Sequence, residues 1–318
     1  MTPHPYYQAI IDAFAAAGRP YFHQVTPPEA RAMLAAGLAA APPPANLPDL
    51  AEVADESIDG PHGAIPIRRY VPKGASAGTV VYLHSGGWVI GDLAFADATC
   101  RRLAGAAGCE IVSVDYRLAP EHPYPQPLDD CFAALEWAAA NRPGPLVLFG
   151  ESAGGNLAAA CAIRARDAGG PAVAGLALAY PVTDHAMDTA SYRDIGDRNW
   201  LLSANDMRWF WDLYAPAGVD RGDPLLSPLR VADAAGLPPA FIAVAELDPL
   251  REEGLAFARR LDAAGVPVVT RCDAAMLHGY LGAAGAVPLA AEALSAAGAW
   301  VRERLAAEGP NDGRDRNL

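Results

Sequence analysis

The 318-residue sequence is 52% hydrophobic and 19% charged, and its formal net charge is −13. This length can bury one large α/β core with an added subdomain, and the composition is that of a globular protein rather than a disordered one. The acidic balance, with no basic block interleaved with aromatic residues, argues against nucleic acid or an anionic membrane surface as a partner.

No targeting or membrane-spanning segment is visible. Residues 1–18 lack a basic region followed by an unbroken apolar run, and no apolar run approaches the roughly 20 residues of a membrane span. With no zinc-ligand spacing and no phosphate-binding loop, we expect neither a metal nor a cofactor. The sequence predicts a cytoplasmic protein and leaves open whether two copies form a homodimer. Its five scattered cysteines are typical of reduced core thiols: Cys100, Cys109, Cys131, Cys161 and Cys272.

Two Ala-rich helical patterns open the chain, at residues 6–17 and 26–40. Thr26 suits the N-cap of the second, with Pro27 at the first helical position and Glu29 at the third. The run Pro42-Pro43-Pro44 ends helical structure. Residues 1–45 are too short for a domain, so we expect them to form part of a cap over one.

Short apolar runs then alternate with amphipathic helical segments. This alternation is typical of an α/β fold in which helices cover both faces of a mostly parallel sheet. We expect residues 46–183 and 223–309 to form that core, and residues 310–318 to be a disordered tail. Strands are predicted within residues 52–71 and at 79–84, 111–114, 145–149, 174–180, 240–245 and 267–271, and helices at 128–140, 153–166, 252–264 and 289–306.

Residues 184–222 interrupt the alternation with a cluster of aromatic side chains and no strand pattern. Residues 199–215 are predicted to be helical, with Ser203 as a cap and Asp206 at the third helical position. An insertion here lies above the carboxyl ends of the strands, where α/β sheets bind ligands. Each aromatic residue either fixes the insertion to the body or lines an apolar pocket, and as a group they favour a pocket. The candidate substrate-binding residues are Trp88, Trp200, Trp209, Trp211 and Tyr280.

The pattern around Ser152 is that of a nucleophile elbow. An apolar strand leads into Gly150-Glu151-Ser152-Ala153-Gly154, and an Ala-rich helix follows. The flanking glycines leave room for a tight turn, and the helix N-terminus offers free N–H groups to a developing oxyanion. Since a glycine-rich turn with an idle serine fits the same short motif, the partners of Ser152 decide between the two interpretations.

His278 is the best candidate for the general base. It follows the last predicted strand, in a loop that can reach the top of the sheet, and the chain order serine, acid, histidine is that of α/β-hydrolases. The other histidines lie near the N-terminus, in the insertion, or in loops before the serine that have other apparent roles: His4, His23, His62, His84, His122 and His185. His84 in particular is expected to orient its loop.

Two aspartates, Asp248 and Asp184, follow predicted strands and compete for the role of the acid. We favour Asp248, because Pro249 fixes the backbone after it, and interpret Asp184 as structural. The oxyanion hole is expected from the backbone N–H groups of Gly86 and Gly87, after the 79–84 strand, and of Ala153, after the nucleophile.

Five motifs occur in order, and over roughly residues 20–305 the sequence resembles the hormone-sensitive lipase family of bacterial esterases (family IV carboxylesterases). The resemblance implies an α/β-hydrolase core, a helical cap made from the N-terminus and the insertion, and the same nucleophile, acid, base and oxyanion donors. The chain departs from the family at Ser85, where the first glycine of His-Gly-Gly-Gly is usual, and at Glu151, where Asp is commoner; we expect little effect from Glu151. The motifs are His84-Ser85-Gly86-Gly87-Trp88, residues 115–122 with Arg117 and Glu121 in a structural loop, residues 150–155, residues 248–254 and His278-Gly279-Tyr280.

The sequence therefore predicts a serine carboxylesterase that hydrolyses small, uncharged, short- to medium-chain esters through an acyl-enzyme. A non-catalytic small-molecule receptor on the same fold is one alternative; plant hormone receptors that resemble this family have lost the histidine, so His278 counts against it. A biosynthetic lyase or acyltransferase that keeps part of the triad is the other, and the sequence does not exclude it.

Overall fold

The computed structural model describes residues 1–74, 76–198 and 200–307. Its strands, in chain order, are β1 (Glu52–Ile58), β2 (Ile65–Val71), β3 (Thr79–Leu83), β4 (Glu110–Val114), β5 (Leu146–Glu151), β6 (Gly175–Ala179), β7 (Ala240–Leu247) and β8 (Val268–Leu277). They form one sheet in the order β1-β2-β4-β3-β5-β6-β7-β8, in which β3 to β8 run parallel and β1 and β2 are antiparallel. The predicted mostly parallel sheet is confirmed.

Helices cover both faces of this sheet, as predicted. The α-helices in the described part of the chain are α1 (Pro5–Ala16), α2 (Pro27–Ala40), α3 (Leu93–Ala107), α4 (Gln126–Asn141), α5 (Ala153–Ala168), α6 (Ala190–Ile195), α7 (Ala204–Tyr214), α8 (Arg251–Ala263) and α9 (Pro288–Ala307). Helices α3 and α9 share an apolar cluster with one face, and α4, α5 and α8 share a cluster with the other. Helix α3 was not predicted, although Asp92 caps its first turn by accepting a hydrogen bond from the Phe95 N–H at 2.7 Å.

The two predicted capping residues fix the starts of α2 and α7. The backbone N–H and hydroxyl of Thr26 donate to Glu29 at 2.8 and 2.7 Å, so the capping box at α2 is confirmed. Ser203 makes the equivalent pair with Asp206, at 3.0 and 2.7 Å. Helix α7 therefore begins at Ala204 rather than near residue 199, because this capping box sets its first turn. Residue 199 itself lies outside the described residues, as does the predicted tail at 310–318.

The cysteine prediction was wrong at one position. Cys100, Cys109, Cys131 and Cys161 are buried, but Cys272 is exposed. It lies on β8, which among the described residues pairs with β7 alone and so forms an edge of the sheet, and part of the cysteine's surface therefore faces solvent. Every helix in the described part of the chain is too short or too polar to cross a bilayer. The domain boundaries remain a prediction.

Candidate active site

Ser152 stands at the sharp turn between β5 and α5. Its backbone adopts φ 54° and ψ −116°, a strained conformation for a residue with a side chain. The two flanking glycines are required by close backbone contacts: a Cβ on Gly150 would lie 2.1 Å from the Gly154 carbonyl oxygen, and one on Gly154 would lie 2.0 Å from that of Leu83. The turn predicted from the Gly-x-Ser-x-Gly pattern is therefore the turn that the chain makes.

His278 connects Ser152 to Asp248. The His278 Nε2 atom lies 2.8 Å from the Ser152 hydroxyl, and Nδ1 lies 2.8 Å from Asp248 Oδ2. A carboxylate can only accept, so Nδ1 carries the proton and Nε2 is free to accept the serine proton. The fully buried Asp248 also accepts the Leu250 N–H on Oδ1 at 2.9 Å, which fixes the carboxylate. The structure thus aligns the three residues that the sequence nominated.

The competing candidates are engaged elsewhere. Asp184 accepts a hydrogen bond from Arg230 at 2.6 Å, in agreement with a structural role. His84 is fully buried; its ring stacks on Tyr116 with centroids 4.2 Å apart, and its Nδ1–H donates to the Ser85 carbonyl at 2.7 Å. Burial lowers the pKa of His84 to about 4, so at neutral pH it is an uncharged group that holds its loop.

The loop after β3 lies beside the elbow because β3 and β5 are neighbours, with Leu83 paired to Gly150. Gly86 and Gly87 adopt φ 125° and 57°, and Trp88 adopts φ 62°. The Gly86 carbonyl accepts the N–H groups of Val89 and Ile90 at 3.0 and 2.9 Å, which closes the loop into a tight turn. Because this segment carries two of the three predicted oxyanion donors, we call residues 85–90 the oxyanion loop. Ala153, the third predicted donor, is the first residue of α5.

The five candidate substrate-binding aromatic residues fall into two groups. Trp88 and Trp211 are fully buried against each other, with ring centroids 4.8 Å apart, and Trp209 is half-buried near them on α7. Trp200 packs instead against the apolar cluster that α3 and α9 share with the sheet, which contains Tyr280. The Tyr280 hydroxyl donates to Asp273, so it is already engaged. These residues therefore do not form one continuous wall.

Phe210 contacts the oxyanion loop directly, a contact that was not predicted from the sequence. A Cβ on Gly87 would lie 2.2 Å from Cδ1 of the Phe210 ring. The Phe210 ring also packs on Phe22, with centroids 5.9 Å apart, and His23 bonds Asp206 of α7 at 2.8 Å. The N-terminal segment and α7 thus meet above the oxyanion loop. Nothing in the spacing of the aromatic residues distinguished Phe210 from its neighbours.

Glu151 is a second buried carboxylate beside the nucleophile. The hydroxyls of Tyr82 and Tyr180 both donate to it, and burial raises the pKa of its carboxyl group. The Tyr180 ring in turn meets the His278 ring edge-on, with centroids 4.9 Å apart. Tyr82 belongs to β3 and Tyr180 follows β6, the two strands that flank β5, so only the strand order reveals this cluster.

Comparison with known proteins gives consistent matches to ester hydrolases. A family model described as the α/β-hydrolase fold matches residues 80–282. The carboxylic ester hydrolase LipN of Mycobacterium tuberculosis is 43% identical over 72% of this chain and 64% of its own length, so the chain spans just under two thirds of LipN. Esterase LipI of the same organism is 43% identical over 76% of this chain and 78% of its own length.

Solved esterases share the whole architecture. A hyperthermophilic esterase from the archaeon Pyrobaculum calidifontis superposes with a TM-score of 0.90 at 35% identity, covering 95% of this chain and 99% of that one. A thermostable esterase from Pseudomonas putida gives a TM-score of 0.88 at 33% identity, with 96% and 98% covered. Sequence and structure therefore point to the same group of proteins.

Proposed function

The chain belongs to the hormone-sensitive lipase family of α/β-hydrolase-fold carboxylic ester hydrolases, and on that premise we propose that it cleaves short- to medium-chain esters with Ser152, His278 and Asp248 as its catalytic triad. The observation that carries the proposal is the hydrogen-bonded line in which His278 lies 2.8 Å from both the serine hydroxyl and the aspartate. A base and its orienting acid at these distances are what an activated serine requires.

In the first half-reaction, Ser152 Oγ attacks the ester carbonyl carbon while its proton passes to His278 Nε2. The carbonyl π electrons move to the oxygen, and the N–H groups of Gly86, Gly87 and Ala153 stabilise the charge that forms there. Asp248 stabilises the imidazolium and holds the ring in place. The tetrahedral intermediate then collapses, the imidazolium gives its proton to the leaving alcohol, and an acyl-enzyme remains.

In the second half-reaction, water replaces the alcohol as the nucleophile. His278 removes a proton from the water, the hydroxide oxygen attacks the acyl carbon, and the second tetrahedral intermediate forms in the same hole. Its collapse releases the carboxylic acid and returns the proton to Ser152. Each step uses the same three side chains, and the proton count closes over the cycle.

The preference for short and medium acyl chains is supported by the cap. Phe22 and Phe210 meet above the oxyanion loop, and α7 brings the tryptophans at 209 and 211 to the same region. An acyl chain gains roughly 0.8 kcal/mol for each methylene group buried there until the space is filled. The net charge of −13 disfavours anionic esters, an effect that salt weakens.

Initial rates on aryl esters graded by acyl length, together with amides and lactones, test this proposal. We expect a pre-steady-state burst of the alcohol, a maximum of kcat/KM at short to medium chains, and little activity on amides. Highest activity on emulsified long-chain triglycerides would contradict the proposed limit that the cap sets on acyl-chain length. Turnover of a lyase or acyl-transfer substrate without ester hydrolysis would favour the alternative reaction class.

A further inference from the structure

Arg31, on the N-terminal helix α2, is half-buried and contacts two loops of the core, one of which is the oxyanion loop. Its Nε–H donates to the Val89 carbonyl at 2.8 Å, and its Nη2 donates to the Ala119 carbonyl at 2.8 Å. On the outer side, Glu121 receives two hydrogen bonds from the same guanidinium, at 2.9 and 2.6 Å. One side chain of the cap therefore holds two separate loops of the core.

The two carbonyls belong to segments that already contact each other. The Ala119 N–H donates to the Trp88 carbonyl at 2.9 Å, so residue 119 accepts from Arg31 on one side and donates to the oxyanion loop on the other. The Val89 carbonyl lies one residue further along the same loop. The Trp88 carbonyl is therefore fixed by the Ala119 N–H, and the next carbonyl along the chain, that of Val89, is fixed by Arg31.

This part of the loop needs such support because its backbone is strained. Trp88 has φ 62°, in the left-handed region that residues with a side chain rarely adopt. A strained conformation persists only when its surroundings over-determine it. The Trp88 indole packs against Trp211 and Tyr214 on α7, which fixes the side chain but leaves the peptide groups to hydrogen bonds.

We propose that Arg31 is a positioning residue for ester hydrolysis: by holding the Val89 and Ala119 carbonyls it keeps the strained turn at Trp88, and so the Gly86 and Gly87 N–H groups, aimed at the oxyanion. This inference rests on the proposed esterase function. It assigns to the N-terminal cap helix a part in the chemistry itself, beyond enclosing the substrate. An oxyanion hole stabilises the transition state through N–H donors that are fixed in place before the reaction begins. Loosening these donors therefore raises the activation barrier for acylation, even though no contact to the bound substrate is removed.

A thionoester substrate separates this role from a structural one. When Ser152 attacks a thionoester, the charge develops on sulfur, which is larger than oxygen and a weaker hydrogen-bond acceptor, so the N–H donors assist it less. The ratio of kcat/KM for an ester to that for the matched thionoester therefore reports the oxyanion hole. Loss of folded enzyme lowers both rates equally and leaves the ratio unchanged.

The experiment compares Arg31→Ala with Arg102→Ala in the full-length protein. Arg102 is the matched control because it also ties the N-terminal segment to the core through a carbonyl, that of Ala45 at 2.7 Å, but away from the site. We expect Arg31→Ala to lower kcat for the ester about 10- to 100-fold with little change in KM, and to lower the ester-to-thionoester ratio several-fold. Arg102→Ala should leave the ratio at the wild-type value.

Chemical rescue gives a second readout. Arg31 lines an open groove of about 360 Å³, so millimolar guanidinium can reach the position that its side chain vacates. We expect guanidinium, but not equimolar sodium chloride or urea, to raise the ester rate and the ratio of Arg31→Ala. An unchanged ratio in a folded, Ser152-dependent variant would overturn the role of Arg31 alone. A wild-type activity that does not depend on Ser152 would overturn the proposed function instead.

Discussion

The ring of Phe210 lies directly on Gly87: a Cβ at Gly87 would stand 2.2 Å from Cδ1 of that ring. The contact joins the cap helix α7 to one of the proposed oxyanion donors. Gly87 also adopts φ 57°, so the position excludes a side chain for two independent reasons.

Gly87→Ala should lower kcat/KM about 100-fold or more, because the new methyl group must displace Phe210 or the loop. Gly108 is the matched control, since it has φ 64° but open space around its Cβ position. Gly108→Ala should bear only the left-handed strain, roughly 1–2 kcal/mol in the free energy of unfolding, and keep its activity. Adding Phe210→Ala to Gly87→Ala should restore part of the rate. Equal activity losses for the two glycine variants would show that the Phe210 contact is unimportant.

Asp248→Asn should reduce kcat by several orders of magnitude, while Asp184→Asn should change it little. The amide no longer holds His278 in the tautomer that accepts the serine proton, a loss of about 10⁴ in the protease that defines the triad. Asp184 instead pairs with Arg230. Steady-state rates and circular dichroism of both variants make the comparison. If folded Asp184→Asn is the more damaged enzyme, Asp248 is the wrong carboxylate.

Acid should destabilise the protein in part through His84. Burial lowers its pKa from 6.5 to about 4, so between these values the unfolded chain binds a proton that the folded protein does not. The stability from neutral His84 is present above pH 6.5 and is lost as the pH falls towards 4. The shift corresponds to roughly 3 kcal/mol in the free energy of unfolding.

The measurement is urea unfolding of wild type and His84→Asn between pH 7.5 and 4.5. Asp115 has a pKa raised to about 6 by burial and contributes a slope of opposite sign, and Asp92 lies close enough to act on both groups. Both carboxylates remain in the variant, so the difference in the free energy of unfolding between wild type and His84→Asn, followed against pH, reports the titration of His84. We expect this difference to shrink as the pH is lowered; a difference that stays constant with pH would contradict a buried, neutral His84.

Phe210→Ala should move the acyl-length optimum towards longer chains, because it opens space next to the carbonyl-binding loop. Trp300→Ala is the stability control, since that indole is also buried but lies on α9, in the cluster on the other face of the sheet. Both variants should unfold at lower temperature, as large-to-small core changes do. Only the Phe210 variant should change the chain-length profile. An unchanged profile would place the acyl chain elsewhere.

Much of the fold and the candidate triad could be predicted from the sequence because each rests on a local pattern. The elbow glycines, the capping boxes at Thr26 and Ser203, and the chain order of Ser152, Asp248 and His278 are all readable within a few residues. Helix α7 was predicted about five residues too early because the apolar run Trp200-Leu201-Leu202, just before Ser203, extends the helical pattern. The exposed Cys272 was missed because edge strands are not visible in one sequence.

The contacts that tune the site are long-range. Arg31 meets Val89 across 58 positions and Glu121 across 90, and the Tyr82–Glu151–Tyr180 cluster depends on the order of strands in the sheet. The spacing of the aromatic residues near the site fits core packing and the lining of a pocket equally well, so the sequence does not distinguish these two roles. Only their placement shows that Phe210 touches the oxyanion loop while the Tyr280 hydroxyl is engaged by Asp273.

The proposed reaction requires Ser152, activated by His278, to be the covalent nucleophile. Incubation with a fluorophosphonate, followed by mass spectrometry of the intact protein and its peptides, identifies the residue that reacts. We expect one phosphonyl group per chain, on the peptide containing Ser152, with loss of esterase activity in proportion to labelling. Ser152→Ala should show neither label nor activity. Stoichiometric labelling of another residue, or ester hydrolysis that persists in Ser152→Ala, would show that Ser152 is not the nucleophile.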